Sequence, residues 1–115
     1  YPENQLKDVP PMWKQKYFKN LGNGNYQVCD QIRKEVVFKV FNLMDPFQYK
    51  KPFDIIFCRN VMIYFDGPTT TNLINKFYNA TAPGGYLFIG HSEVIDKDAT
   101  KYNYIMPAIY QRSER

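Results

Sequence analysis

The sequence predicts an α/β fold with a parallel strand pair, and two apolar runs separated by a helical segment are the basis of that prediction. The first run, Phe53–Cys58, is short and almost uninterrupted, which is typical of a strand that is buried on both faces. The second run, Tyr86–Gly90, has the same character. Between residues 73 and 78, apolar side chains recur at helical spacing. A helix between two buried strands favours a parallel crossover connection.

Length and composition are those of one small domain. The chain has 115 residues, of which 44% are hydrophobic and 17% aromatic, enough for a packed core. The net charge of +4 is a mild excess that does not by itself indicate nucleic-acid binding. The longest apolar runs are too short to span a membrane, so no membrane insertion is expected. The spacing of Cys29 and Cys58 matches no metal or redox motif, and we expect free thiols in a cytoplasmic protein.

Short elements are predicted before the first apolar run. Met12–Tyr17 can form a short helix with Pro11 at its first position. From Tyr17 to Val28, two β-prone pieces flank a turn rich in glycine and asparagine, which predicts a β-hairpin. A phosphate-binding glycine loop is the alternative, but no buried strand precedes this turn. Val36–Leu43 is β-branched and aromatic, and it predicts a further strand.

The elements after the first apolar run complete the predicted sheet. Asp66 or Thr69 can cap the helix, which should end near Thr81, before a Pro-Gly-Gly turn. Tyr102–Met106 and Ala108–Gln111 are expected to form a closing antiparallel strand pair. The result is a sheet that is partly parallel and partly antiparallel.

Polar residues at the strand ends are the candidate site. Arg59 and Asn60 follow the first apolar run, where ligands bind in open α/β sheets, and Tyr64 comes shortly after. The alternatives are a charged residue leaving the core at Arg59 and a core aromatic at Tyr64. The residues His91–Glu93 look like a catalytic triad, but neighbours in a strand alternate faces and cannot all meet. We expect them to shape the loop or anchor neighbouring turns.

The stretch from Phe53 to Asp66 resembles the signature of the CheR family, the bacterial chemotaxis receptor glutamate O-methyltransferases that use S-adenosylmethionine. Pro83–Glu93 is similar to the same family, as are Phe38–Leu43 and Pro107–Tyr110. The Pro-Gly-Gly turn is common to many methyltransferases, whereas the run from Cys58 to Asp66 is specific. Function in this family is methyl transfer to glutamate side chains of chemoreceptors.

The resemblance implies a partial Rossmann-like class I methyltransferase sheet in a domain over residues 1–115. Residues 14–30 would be a small inserted antiparallel β-hairpin subdomain, and residues 36–112 the second half of the sheet. The family's glycine cofactor loop and its acidic ribose-binding residue have no counterpart in this sequence. We therefore expect an enzyme fragment that is inactive in isolation. The alternative is a non-catalytic receptor-docking or signalling module derived from the same fold.

Site residues and partners also follow from the resemblance. It implies Arg59 and Tyr64 as the catalytic pair, and Asn42, Leu43, Arg59 and Asn60 as residues that bind S-adenosylmethionine or its product S-adenosylhomocysteine, without a metal. For Asn42 and Leu43 the alternative is a strand end with a satisfied amide and a core leucine.

The implied partners are the cytoplasmic helices of chemoreceptors. In some members the β-subdomain docks on a tethering peptide at the receptor's tail. The turn between Tyr17 and Val28 is shorter here, so we expect direct recognition of receptor helices instead. A nucleic-acid methyltransferase is disfavoured, because Arg59-Asn60 stands where its Asn/Asp-Pro-Pro-Tyr motif would be.

Overall fold

The computed structural model describes residues 1–114, which group into two units, Tyr1–Val40 and the residues from Phe41 onward. The first unit contains a 3₁₀ turn (Glu3–Leu6), helix α1 (Pro11–Tyr17), strands β1 (Phe18–Asn20) and β2 (Tyr26–Val28), and the short helix α2 (Asp30–Arg33). The two strands pair antiparallel, and Gly22 and Gly24 adopt positive φ in the turn between them. The predicted hairpin and the helix that begins at Pro11 are both confirmed.

The second unit is built on one four-stranded sheet in the order β3-β4-β6-β5. Its elements are β3 (Phe53–Cys58), α3 (Gly67–Ala80), β4 (Thr81–Ile89), β5 (Asn103–Met106) and β6 (Ile109–Gln111), with 3₁₀ turns at Met62–Tyr64 and Lys97–Ala99. Strands β3 and β4 run parallel, and the pairs β4/β6 and β5/β6 are antiparallel. The predicted helix-linked parallel pair and the closing antiparallel pair are therefore confirmed, in a mixed α/β unit.

Helix α3 begins at a side-chain cap and packs by one face. The Asp66 carboxylate accepts the Thr69 backbone N–H at 2.8 Å, so Asp66 rather than Thr69 is the cap. Hydrogen bonding from Thr69 also lowers the pKa of the Asp66 carboxyl. The predicted apolar face is confirmed, since Leu73, Ile74 and Phe77 are buried.

The core of this unit lies between α3 and one face of the sheet. Leu87 and Ile89 of β4 and Cys58 of β3 pack there with the buried residues of the helix. The prediction that Phe53–Cys58 is buried on both faces is wrong, because Ile55 and Phe57 are exposed. The other apolar run is likewise fully buried only on its helix-facing side. The reason is that α3 covers one face, while no described element of this unit covers the other.

The predicted strand over Val36–Leu43 is also wrong. No strand is assigned there, and Val37, Phe38 and Val40 are exposed. A β-strand exists only through hydrogen bonds to a neighbour, and no strand of the described residues pairs with this segment. High β-propensity alone therefore left it in an irregular conformation.

Thr81 joins the end of α3 to the start of β4. Its hydroxyl donates to the Phe77 carbonyl at 2.6 Å and lies 2.6 Å from the hydroxyl of Tyr102, which must therefore donate to Thr81. Burial is the main cause that raises the pKa of Tyr102, to about 12.

None of the helices formed by residues 1–114 combines the length and hydropathy that crossing a bilayer requires.

Candidate functional site

The carboxyl ends of β3 and β4 lie side by side, because Cys58 pairs with Ile89 in the parallel ladder. The chain leaves β3 through Arg59 and Asn60, and it leaves β4 through Gly90. This edge of the sheet is where open α/β folds bind their ligands.

A buried carboxylate links the two strand exits. Glu93 accepts the backbone N–H of Asn60 at 2.7 Å and of Gly90 at 2.8 Å through Oε1, and the N–H of Met62 at 2.7 Å through Oε2. The expectation that this segment anchors neighbouring turns is therefore confirmed for Glu93. Its bonds to Asn60 and Met62 could not be predicted, because these two donors lie about thirty residues away in the chain.

Gly90 is a site residue that the sequence analysis missed. A Cβ added there would lie 2.5 Å from Asn60 Oδ1 and 2.8 Å from Glu93 Oε1, closer than atoms can approach. Asn60 itself has φ of +60°, a conformation that asparagine tolerates better than most residues. The available signal was the position of a glycine directly after the second apolar run, where close backbone approach is common.

The two side chains of the implied catalytic pair are both exposed. Tyr64 ends the 3₁₀ turn and is 81% exposed, so the alternative of a core aromatic is wrong for it. Phe65 takes that role, since it packs against the core, and Met62 is buried. Neither the Arg59 guanidinium nor the Tyr64 hydroxyl has a hydrogen-bond partner within the described residues. Their donors are therefore available to a ligand.

Asn42 and Leu43 lie elsewhere in the unit. The Asn42 side-chain oxygen accepts the Met44 N–H at 2.9 Å, and Leu43 packs against the core. Leu43 lines a cavity of about 130 Å³ together with Phe53 and Ile56, so it faces β3 away from the exit at Arg59. Leu43 therefore packs as the core leucine of its alternative and the Asn42 side-chain oxygen is satisfied, but neither residue lies at a strand end, because no strand forms over this segment. Their contact with a cofactor stays a prediction.

Lys76 holds the segment that contains Leu43 against the helix. Its ammonium donates to the carbonyl oxygens of Leu43, Met44 and Asp45 at 3.2, 2.8 and 3.3 Å. The sequence carries no local signal for this role, because a lysine on a helix is ordinary. The best-defined cavities of the described residues include five of about 130 to 670 Å³, and none of these five is lined by Arg59, Asn60 or Tyr64.

Cys58 is a structural thiol at the end of β3. Burial, and then the negative charge of Glu93, raise the pKa of Cys58 to about 11, so it is a neutral thiol at physiological pH. Both Cys29 and Cys58 are free, as predicted. No cluster of histidine, cysteine, aspartate and glutamate that could hold a metal ion is present in the part of the chain that the structure describes.

A mixed sheet with polar residues at its parallel strand ends is consistent with a methyltransferase fold, and comparison with known families agrees. The family model "CheR methyltransferase, SAM binding domain" matches residues 1–110. The chain therefore belongs to the CheR methyltransferase family.

Several curated relatives carry the corresponding name. A chemotaxis protein methyltransferase of Borreliella burgdorferi is 46% identical over 114 residues, which is 98% of this chain and 40% of the relative. A probable chemotaxis protein methyltransferase of Rhizobium etli is 37% identical over 86% of this chain and 38% of its own length. A chemotaxis protein methyltransferase of Pseudomonas putida is 42% identical over 71% of this chain and 30% of its own length. The chain thus spans well under half the length of the curated relatives it matches.

Proposed function

We propose that this chain is the carboxyl-terminal part of an enzyme that transfers methyl groups from S-adenosylmethionine to glutamate side chains of bacterial chemoreceptors. The observation that carries the proposal is the family match, together with the run from Arg59 to Asp66 at the carboxyl end of β3. We also propose that residues 36–112 form the second half of a Rossmann-like class I sheet, and residues 14–30 an inserted β-hairpin subdomain.

The reaction needs positioning rather than proton transfer. A glutamate side chain has a reference pKa of about 4.3, so it is already an ionised nucleophile at neutral pH. S-adenosylmethionine supplies an electrophilic methyl group on a sulfonium. The negative and positive charges of the reactants neutralise each other on the way to the transition state, which a site that excludes water favours. The protein must therefore hold the attacking oxygen in line with the methyl group and keep water away.

Arg59 and Tyr64 are suited to hold the substrate carboxylate. The planar guanidinium of Arg59 can bind both carboxylate oxygens in one orientation, which a lysine cannot do. The Tyr64 hydroxyl can donate to one of the same oxygens. Support comes from the exposure of both side chains and from their lack of hydrogen-bond partners within the described residues.

Asn60 and Arg59 are the proposed contacts to the cofactor at the strand end, and Asn42 and Leu43 the proposed contacts to its adenosine end. Asn60 is exposed beside the strand exit, and its amide can both donate and accept. Asn42 and Leu43 would have to leave their present contacts with Met44 and the core. The cofactor assignment is therefore supported at Asn60 and Arg59 by placement, and at Asn42 and Leu43 by resemblance alone.

The proposed substrates are glutamates on cytoplasmic helices of chemoreceptors, which places the enzyme in the cytoplasm. Such helices are acidic, and the net charge of +4 suits an acidic partner. The relatives are named chemotaxis methyltransferases, which supports the same pathway. The hairpin turn at Gly22–Asn25 is short, and we propose direct recognition of the helices rather than docking on a tethering peptide.

A non-catalytic docking module is the second candidate. It is favoured by the open face of the sheet, where Ile55 and Phe57 are exposed. Calorimetric titration of the chain with S-adenosylhomocysteine separates the two. Heat of binding above that of buffer mixing supports cofactor binding by this part of the fold, whereas no heat favours the module or an inactive fragment.

The test of the enzymatic proposal is Arg59→Ala in the intact enzyme of which we propose this chain is part. Loss of the carboxylate clamp should lower methyl transfer to a receptor fragment about 100-fold or more, with little change in thermal unfolding. Arg33→Ala is the matched control, because that arginine is exposed on α2 and contacts only Asp30. Normal methylation by Arg59→Ala would refute the assigned role.

A further inference from the structure

We propose that Glu93 is a positioning residue for the methyl-transfer site, acting through the backbone of the segment that carries Arg59 and Tyr64. The inference rests on the proposed function and adds a residue whose side chain need not touch a substrate. Three hydrogen bonds carry it: those from the backbone N–H groups of Asn60, Met62 and Gly90.

The three bonds fix the segment at defined points. Asn60 directly follows Arg59, and Met62 lies two residues before Tyr64, so two anchored amides lie in the segment between the two functional side chains. The turn then continues through the 3.0 Å hydrogen bond from the Phe65 N–H to the Met62 carbonyl. With Asn60 and Met62 held, the directions in which Arg59 and Tyr64 leave the backbone are set.

The hydrogen bond from Gly90 connects the segment that carries Arg59 and Tyr64 to the end of β4, the parallel partner of β3. Glu93 lies on the turn that follows β4, where its own N–H donates to the Gly90 carbonyl at 3.0 Å. Its side chain then returns to the Gly90 N–H and crosses to the β3 exit. The position of the Arg59 segment is therefore tied to Gly90, the residue that directly follows β4, the most buried strand of the sheet.

The arrangement requires a side chain of this length with two acceptor oxygens. Oε1 accepts two N–H groups and Oε2 accepts the third, so both oxygens act purely as acceptors. Glutamine would place an NH₂ group against at least one N–H donor. Aspartate is one methylene too short to keep the same reach. The fit at Gly90 is tight, since any Cβ there would collide with Glu93 Oε1.

The contacts of Glu93 distinguish positioning from general support of the fold. All three donors lie in the loops that leave β3 and β4, and none belongs to α3. Met62 is the one donor that also belongs to the packed core of the described residues, whereas Leu73, Ile74 and Leu87 make no hydrogen bond to this carboxylate. Loss of the carboxylate should therefore loosen the strand-end segment before it affects the core.

The first measurement is backbone amide hydrogen exchange by NMR on this chain, comparing Glu93→Gln with the unaltered protein. Amides of Asn60, Met62 and Gly90 should exchange at least about tenfold faster in Glu93→Gln, while amides in α3 and at Leu87 keep their protection. Glu35→Gln is the matched control, because Glu35 is exposed and its side chain has no partner in the described contacts. It should leave every amide unchanged.

The second measurement is steady-state methyl transfer by the intact enzyme. Glu93→Gln should lower kcat about 10- to 100-fold with a smaller change in KM, because misplacement of the reacting groups penalises the chemical step. Glu35→Gln should match the unaltered enzyme.

Three results would overturn the proposal. Uniform loss of amide protection, including in α3, would make Glu93 a general stabiliser. Unchanged exchange at Asn60 and Met62 would show that its hydrogen bonds do not order the segment. Loosened amides with normal kcat would separate the segment's order from catalysis. If the unaltered enzyme transfers no methyl group, the proposed function fails and the positioning role with it, while the exchange data still decide whether Glu93 orders the loop.

Discussion

The two faces of the four-stranded sheet differ sharply although the same strands build both. On the face toward α3, Leu87 and Ile89 are almost completely buried and join the helix in one apolar cluster. On the opposite face Ile55 is half-exposed, and Phe57, 69% exposed, stacks on Phe88 with ring centroids 4.8 Å apart. The residue types are alike on both faces, so composition does not decide which face is the core.

The difference teaches that stability in this unit depends on what covers a strand rather than on the strand's own hydrophobicity. Apolar side chains contribute in proportion to the surface they remove from water, about 25 cal/mol per Å². The side chains under α3 gain that contribution in full, whereas those on the open face gain little. Large exposed apolar patches on a domain mark surfaces where other protein binds.

The largest expected effect comes from one deletion made on each face. Ile89 is 1% exposed and Ile55 is 51% exposed, so Ile89→Ala and Ile55→Ala remove the same atoms from opposite environments. Ile89→Ala should lower the free energy of unfolding by about 2–5 kcal/mol, because it loses burial and leaves a cavity. Ile55→Ala should cost about 1 kcal/mol or less. Urea unfolding measures both, and similar losses for the two variants would contradict the comparison.

A smaller effect is expected at the hydrogen bond between the hydroxyls of Tyr102 and Thr81, which are buried beside α3. Tyr102→Phe removes the hydrogen bond to Thr81, while Thr81 keeps its bond to the Phe77 carbonyl, so the loss should be about 1 kcal/mol at neutral pH. Tyr104→Phe is the control, since the Tyr104 hydroxyl has no hydrogen-bond partner in the described residues.

The pH dependence of stability tests the same hydrogen bond a second time. Folding raises the pKa of Tyr102 from 10.0 to about 12, so the folded protein keeps this proton after the unfolded chain has lost it. The contribution of Tyr102 to stability is complete below about pH 10 and is lost as pH rises toward 12. The difference in unfolding free energy between the unaltered protein and Tyr102→Phe should therefore shrink as pH rises over this range. A gap that stays constant up to pH 12 would show that the phenol is not held neutral by the fold.

Much of this architecture could be predicted from local sequence. The cap at Asp66, the apolar face around Leu73 and Phe77, and the hairpin at Gly22–Asn25 each depend on residues close together in the chain, and local rules describe them well. The segment Val36–Leu43 failed because a strand needs a neighbour, which propensity does not report. Burial of β3 failed for a related reason: an apolar run does not reveal how many of its faces are covered.

In the candidate site, too, local features could be predicted from the sequence and long-range contacts could not. Placing Arg59 and Asn60 at a strand end needed only the end of the apolar run at Cys58. The hydrogen bonds of Glu93 to Asn60 and Met62 join two strand exits, and only the parallel register of β3 and β4 brings those exits together. Long-range hydrogen bonds of this kind leave no local pattern. They are therefore the part of the site that only the three-dimensional structure reveals.

The smallest effect on stability, but a clear effect on association, is expected at Phe57 on the open face. We expect the chain to self-associate through this face and the free edge of β3, with a second copy covering the rings of Phe57 and Phe88. Phe57→Lys should leave the unfolding free energy nearly unchanged, because the side chain is largely exposed already, and should shift sedimentation toward the monomer.

Phe38→Lys is the matched control for that change. Phe38 is also a highly exposed phenylalanine, but it lies outside the sheet, in the segment that forms no strand. The same substitution there adds the same charge and removes the same ring. If self-association runs through the open face, Phe38→Lys should associate as the unaltered chain does. Equal loss of association in both variants would mean that added charge alone keeps the chains apart. A monodisperse monomer before any substitution would show that the exposed face is tolerated in water by itself.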